Sequence, residues 1–137
     1  MAAVSLFEFL DEQSIPVDLM VGCSVGSIIS ALRGIGYGTR EMIDFFRGVE
    51  RFKPFDHIDY RALLGLAKLP FGKFNMHSGI LHPQKYRMIL KETFGDTRIE
   101  DLRPKVLMQT TDVSTGEGVI LDRGLVCDAL YASSAIF

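Results

Sequence analysis

An α/β fold, with a mostly parallel sheet flanked by helices, is what these 137 residues predict. Three observations predict it. "VDLMVG" at 17–22 is short, apolar and bounded by turn residues, which suits a buried strand. "VGSIISALRGIG" at 25–36 follows at once with apolar residues at helical spacing. Far along the chain, "KVLMQTTDV" at 105–113 and "VILD" at 119–122 flank the turn "STGEG" and read as a hairpin. Strands interleaved with helices at this length make one α/β domain over residues 1–137.

Taken in order, residues 2–13 form a helix, with Val4, Leu6, Phe7, Phe9 and Leu10 on a broad apolar face. "SIP" at 14–16 stops it, because a residue before proline avoids helical angles. The strand at 17–22 comes next, then the helix at 25–36, which packs Ile28, Ile29, Ala31 and Leu32 and ends at Gly34 and Gly36. "TREMIDFFRGVE" at 39–50 is a third helix, with Thr39 at its N-cap. Residues 51–77 are aromatic, basic and broken by Pro and Gly; a short helix near 59–68 between loops is expected. "HPQKYRMILKETFG" at 82–95 is helical: Pro83 suits the first turn, and Gly95 ends it. After the hairpin, "LVCDALYASSAIF" at 125–137 begins another helix.

Composition removes several function classes. A net charge of −2 and a pI of about 5.9 leave no electrostatic footprint for nucleic acid. Cys23 and Cys127 form no CxxC and have no zinc spacing with the three histidines, so neither metal nor cofactor is expected. Apolar stretches break well short of a membrane span, and residues 1–13 lack a basic leader region. A cytoplasmic or peripheral-membrane location is the expectation.

The chemistry lies in "GCSVG", Gly22-Cys23-Ser24-Val25-Gly26. A serine between a buried strand and a helix sits on a strained turn that projects its hydroxyl above the sheet edge. Small residues two before and two after let strand and helix approach closely. The following helix aims free backbone N–H groups, such as that of Val25, at the site, where they stabilise an oxyanion. The bland alternative is a glycine bend in which Ser24 caps the helix. A serine also needs a base. His57, His77 and His82 occupy loop and cap contexts, which argues against a Ser-His-Asp α/β-hydrolase and predicts that none reaches Ser24.

"SIPVDLMVGCSVGSIISAL" resembles the nucleophile segment of the bacterial patatin-like phospholipases, lipid acyl hydrolases of α/β fold. "IEDLRPKVL", "VLMQTTDVSTGEGVIL" and "LVCDALYASSAIF" resemble later segments of that family, the last its Ala-Ser-x-Ala-Ile-Pro stretch. The resemblance spans nearly the whole chain, with 51–77 the poorest part. It implies a Ser-Asp dyad without histidine, Ser24 as nucleophile, Gly22, Cys23, Val25 and Gly26 as the elbow and oxyanion region, and a lipid or acyl ester substrate. Cys23 stands where Thr is commoner, and Phe137 where Pro is favoured. The family's dyad aspartate lies in an Asp-Gly-Gly or Asp-Gly-Ala motif after the Ala-Ser segment, and its oxyanion loop is glycine-rich and precedes the first helix. The 137 residues hold neither an Asp-Gly pair nor a Gly-Gly-Gly run. The expectation is therefore a patatin-like domain incomplete at both ends, inactive as this chain alone. A non-catalytic remnant that keeps the elbow as a structural turn is the alternative. Asp122 in "DRG" precedes the Ala-Ser segment and is not assigned to the dyad; Asp112 is expected to cap the turn after it.

Phe52, Phe55, Phe71 and Phe74 alternate with Lys53, Lys68 and Lys73. This suits a lid or peripheral membrane contact, or, as the preferred reading, a loop whose phenylalanines fill a satellite core.

Overall fold

A computed structural model describes residues 2–51, 70 and 83–134. Helix α1 (Ala2–Glu12) leads into strand β1 (Leu19–Cys23), which passes directly into α2 (Val25–Gly34); α3 (Thr39–Arg51) and α4 (Pro83–Phe94) follow. A 3-10 turn (Ile99–Asp101) then leads to strands β2 (Lys105–Thr111) and β3 (Gly118–Leu121), and to α5 (Val126–Ser134). The expected short helix near 59–68 and the aromatic and basic segment at 52–74 lie almost wholly outside the described residues, as do His57, His77 and His82.

The sheet has the order β1-β2-β3 and is mixed. β1 and β2 run parallel, in register from Leu19 opposite Lys105 to Cys23 opposite Gln109. β2 and β3 form the antiparallel hairpin, from Met108 opposite Leu121 to Thr111 opposite Gly118. The hairpin turn is built by Asp112, as its side chain predicts. Its Oδ1 accepts the Ser114 N–H at 2.8 Å, and its backbone carbonyl accepts the Gly116 N–H at 2.7 Å. The bonds from Ser114 hold the Asp112 carboxyl below the usual carboxylate range. Because Asp112 turns the chain, β2 ends at Thr111, two residues before the end that periodicity predicts.

One face of the sheet carries the core. Met20, Val106 and Met108 point to it and are buried with Ile28, Ile29 and Leu32 of α2 and Ala129 and Leu130 of α5. Leu90 and Phe94 of α4 join the same cluster. The other face is different. β1 alternates, with Leu19, Val21 and Cys23 outward and Met20 and Gly22 inward. Val21 is 59% exposed and Ile120 of β3 51%. The expected burial of the first strand holds on one face: α2, which packs on β1 and β2, and α5, which packs on β2, share the core with Met20, Val106 and Met108.

One helix start differs from its sequence reading, and the end of α2 follows it. Thr39 is the first residue of α3, not its cap. Gly38 holds the cap position: its carbonyl accepts the Met42 N–H, and its own N–H donates to Glu41 Oε2 at 2.7 Å. This is half of a capping box, with an acid at the third helical position reaching back. At the other end of α2, Gly34 is its last residue, and Gly36 takes a φ of 94° in the turn beyond. Arg33 ties this turn back to α1 by pairing with Asp11.

Candidate active site: a serine on a strained elbow

β1 ends at Cys23 and α2 begins at Val25, so Ser24 alone makes the corner. Its φ is 52° and its ψ is −121°. Few L-residues adopt this combination, and holding it costs of order 1–3 kcal/mol. A normal N-cap serine has extended angles and bonds back to the helix with its hydroxyl. Ser24 does neither: its side chain makes no cap hydrogen bond. That disposes of the bland reading in which Ser24 serves as an ordinary cap.

The corner is tight because strand and helix touch backbone to backbone. A Cβ on Gly22 would lie 2.5 Å from the Ser27 nitrogen and 2.6 Å from the Gly26 carbonyl carbon and oxygen. Only glycine fits there. Gly26 differs: a Cβ built on it meets nothing within 4 Å among the described residues. The two flanking glycines were expected to share one steric duty, and the structure gives it to Gly22 alone.

Ser24 is clamped on both sides of its strained torsion. Its carbonyl accepts the Ser27 N–H at 2.9 Å and the Ile28 N–H at 3.3 Å. Its own N–H donates to Ser133 Oγ, 3.0 Å away on the last turn of α5. Ser133 Oγ in turn donates to the Gln109 carbonyl at 2.6 Å and lies 2.9 Å from Ser27 Oγ. Ser27 is fully buried and Ser133 is 9% exposed. Sequence reading missed both as site residues. The available signal was a hydroxyl on the packed side of α2, beside Ile28 and Ile29, and the serines of the "ASSAI" segment.

The groups that face outward remain open. Among the described residues the Ser24 hydroxyl has no hydrogen-bond partner, and Ser24 itself is partly exposed. Val25 and Gly26, the first two residues of α2, lie ahead of its first helical hydrogen bonds, which begin at Ser27 and Ile28. Among the described residues their N–H groups have no acceptor, and they stand at the positive end of the helix dipole, beside the serine. Cys23 is exposed, and Val25 is 53% exposed. This corner can present a hydroxyl and two N–H donors to a reacting carbonyl.

Asp122 sits at the other edge of the sheet. With Asp18, Glu100, Arg103, Lys105 and Arg123 it lines an open cleft of about 590 Å³. Asp18 directly precedes β1, six residues before Ser24, so this part of the cleft lies roughly 20 Å from Ser24 at about 3.3 Å per strand residue. Asp122 pairs there with Arg123 at 3.2 Å, which holds its carboxyl low. Among the described residues no group of three or more His, Cys, Asp and Glu could hold a metal ion. No helix there is long and apolar enough to cross a membrane. The expectation that no histidine approaches Ser24 rests on residues outside those described.

Comparison with known proteins bears on the same segments. A family model described as patatin-like phospholipase matches residues 1–136. The chain is similar to two curated proteins named neuropathy target esterase sws, from Drosophila persimilis and Drosophila pseudoobscura pseudoobscura. Each is 26% identical over 117 residues, covering 82% of this chain. The chain spans 7% of the length of these relatives.

Proposed function

The chain belongs to the patatin-like phospholipase family, and from that premise we propose that it carries the nucleophile half of a lipid acyl hydrolase, with Ser24 as the nucleophile. The observation that carries this reading is the corner itself. A non-glycine residue is held at φ 52°, and among the described residues its hydroxyl and the two N–H groups beside it have no hydrogen-bond partner. Strain of that kind persists only where surrounding contacts over-determine it, and such residues gather at reactive sites.

In the proposed reaction, Ser24 Oγ attacks the carbonyl carbon of an acyl ester as its proton passes to a carboxylate base. The carbonyl oxygen becomes an oxyanion and accepts from the Val25 N–H, with the Gly26 N–H beside it. The intermediate collapses, the alcohol leaves with a proton, and the acyl group stays on Ser24. Water then attacks the acyl-enzyme, and the acid departs. The base is the aspartate of an Asp-Gly-Gly or Asp-Gly-Ala segment following α5. A glycine-rich segment ahead of α1 supplies further oxyanion donors. The substrate is a lipid ester, in keeping with the esterase name of the relatives.

The test compares three proteins in a p-nitrophenyl ester assay: this chain, the chain joined to both of those segments, and the joined protein with Ser24→Ala. The joined protein turns over, and Ser24→Ala lowers its kcat by at least about three orders of magnitude. The chain alone hydrolyses esters poorly, because an unactivated serine hydroxyl is a weak nucleophile. Equal rates with and without Ser24 would end the hydrolase reading and leave the elbow as a structural turn.

A further inference from the structure

We infer that Ser133 is the positioning residue of the Ser24 elbow, acting through the Ser24 amide and not on substrate; this rests on Ser24 being the nucleophile. A serine hydroxyl has one proton to give and two lone pairs to receive. At Ser133 all three are accounted for. The Gln109 carbonyl can only accept, so the bond at 2.6 Å uses the Ser133 proton. Ser133 Oγ then accepts from the Ser24 N–H at 3.0 Å, which can only donate. Its remaining lone pair faces Ser27 Oγ at 2.9 Å, so Ser27 is the donor in that pair. The direction of every hydrogen bond in the cluster follows from these two fixed ends.

The cluster joins three elements at one atom: the end of β2, the corner after β1 and the first turn of α2. Gln109 is the register partner of Cys23, so Ser133 binds the strand directly beside the one that delivers the nucleophile. The Ser24 N–H lies on one side of the strained φ, and the Ser24 carbonyl, held by Ser27 and Ile28, closes the other. Without the Ser133 hydroxyl the Ser24 peptide loses its anchor on the strand side. The residue can then relax toward ordinary angles, which would swing Oγ and the Val25 N–H relative to each other. An alanine would also take a partner from three polar groups, of which Ser27 Oγ is buried and the other two part-buried. Hydroxyl chemistry, not size, is what the position requires.

Thr and Val separate these, since they share a shape and differ in the hydroxyl. The measurement is the rate of Ser24 phosphonylation by a fluorophosphonate at saturating probe, with the probe's binding constant read separately, in the joined protein that shows Ser24-dependent turnover. Ser133→Val slows the labelling step about 10²-fold, the scale of a small misplacement of reacting groups, and leaves probe binding within about threefold. Ser133→Thr rescues most of the rate. Ser27→Ala, which leaves the Ser24–Ser133 bond in place, has the smaller effect. Labelling by Ser133→Val at the rate of Ser133→Thr would overturn the inference.

Hydrogen exchange at the Ser24 amide of the unmutated protein supplies a check that needs no variant to fold. Slow exchange, like that of core strand amides, is expected, and exchange at the rate of an open amide would overturn the inference. Failure of the parent reading looks different: Ser24 would not be labelled at all, while its amide exchange would still report on the Ser133 bond.

Discussion

Gly22 and Gly26 stand symmetrically about Ser24 in the sequence and have opposite situations in the fold. Gly22 faces the first turn of α2, and a Cβ there would run into backbone at 2.5–2.6 Å. Backbone cannot step aside as a side chain can. Gly26 is itself the backbone that blocks Gly22, and its own missing Cβ faces open space among the described residues. One glycine is required by what it touches. The other leaves room beside the serine. A symmetric motif can thus hide an asymmetric requirement, and only the close approach of strand and helix reveals which half is steric.

The comparison makes graded predictions. Gly22→Ala has the largest effect, because strand and helix must separate. We expect destabilisation at or above the top of the ~1–3 kcal/mol range for overpacked sites. Chemical denaturation of the variant measures it, and a loss below about 1 kcal/mol would break the comparison at its stronger end.

Gly34→Ala falls between. Its Cβ would lie 2.9 Å from Leu102 Cβ, which moves only with its backbone, and 3.2 Å from Leu102 Cδ2 and Val106 Cγ2, which can give way; it would meet no backbone atom as close as those at Gly22. A loss of about 1 kcal/mol by denaturant midpoint is expected, with Ser24 labelling unchanged, since Gly34 lies at the far end of α2.

Gly26→Ala is smallest. Relieving a glycine in the first turn of a helix, where nothing is touched, leaves stability unchanged or raises it by up to about 1 kcal/mol. A loss as large as that of Gly22→Ala would show that the apparent opening is filled.

Much of this corner was legible from residues because it is local. An apolar run, a Gly-x-Ser-x-Gly and a second apolar run with period 3.6 suffice to predict strand, turn and helix, and β1 and α2 start and stop within two residues of those expectations. The hairpin was equally legible, because Asp112 bonds Ser114 two residues on. What escaped was non-local or three-dimensional. Ser133 meets Ser24 across 109 positions and Ser27 across 106, and no periodicity announces such a meeting. The alternation of β1 was masked because Leu19 and Val21 are as apolar as Met20, so the run looked buried on both faces. Thr39 has the better cap chemistry than Gly38, and the Glu41 carboxylate reversed that preference by reaching the Gly38 N–H. The different roles of Gly22 and Gly26 could not be read from two identical letters.

The polar cluster that holds Ser24 contains two hydroxyls, one amide N–H and one carbonyl. None of these gains or loses a proton across the range in which proteins stay folded. This cluster beneath Ser24 therefore holds no titrating group of its own. None of its bonds is made or lost by the ionisation of a member. If Ser24 is the nucleophile, a pH–rate profile of an active form would then report the group that takes its proton with no ionisation of this cluster superimposed.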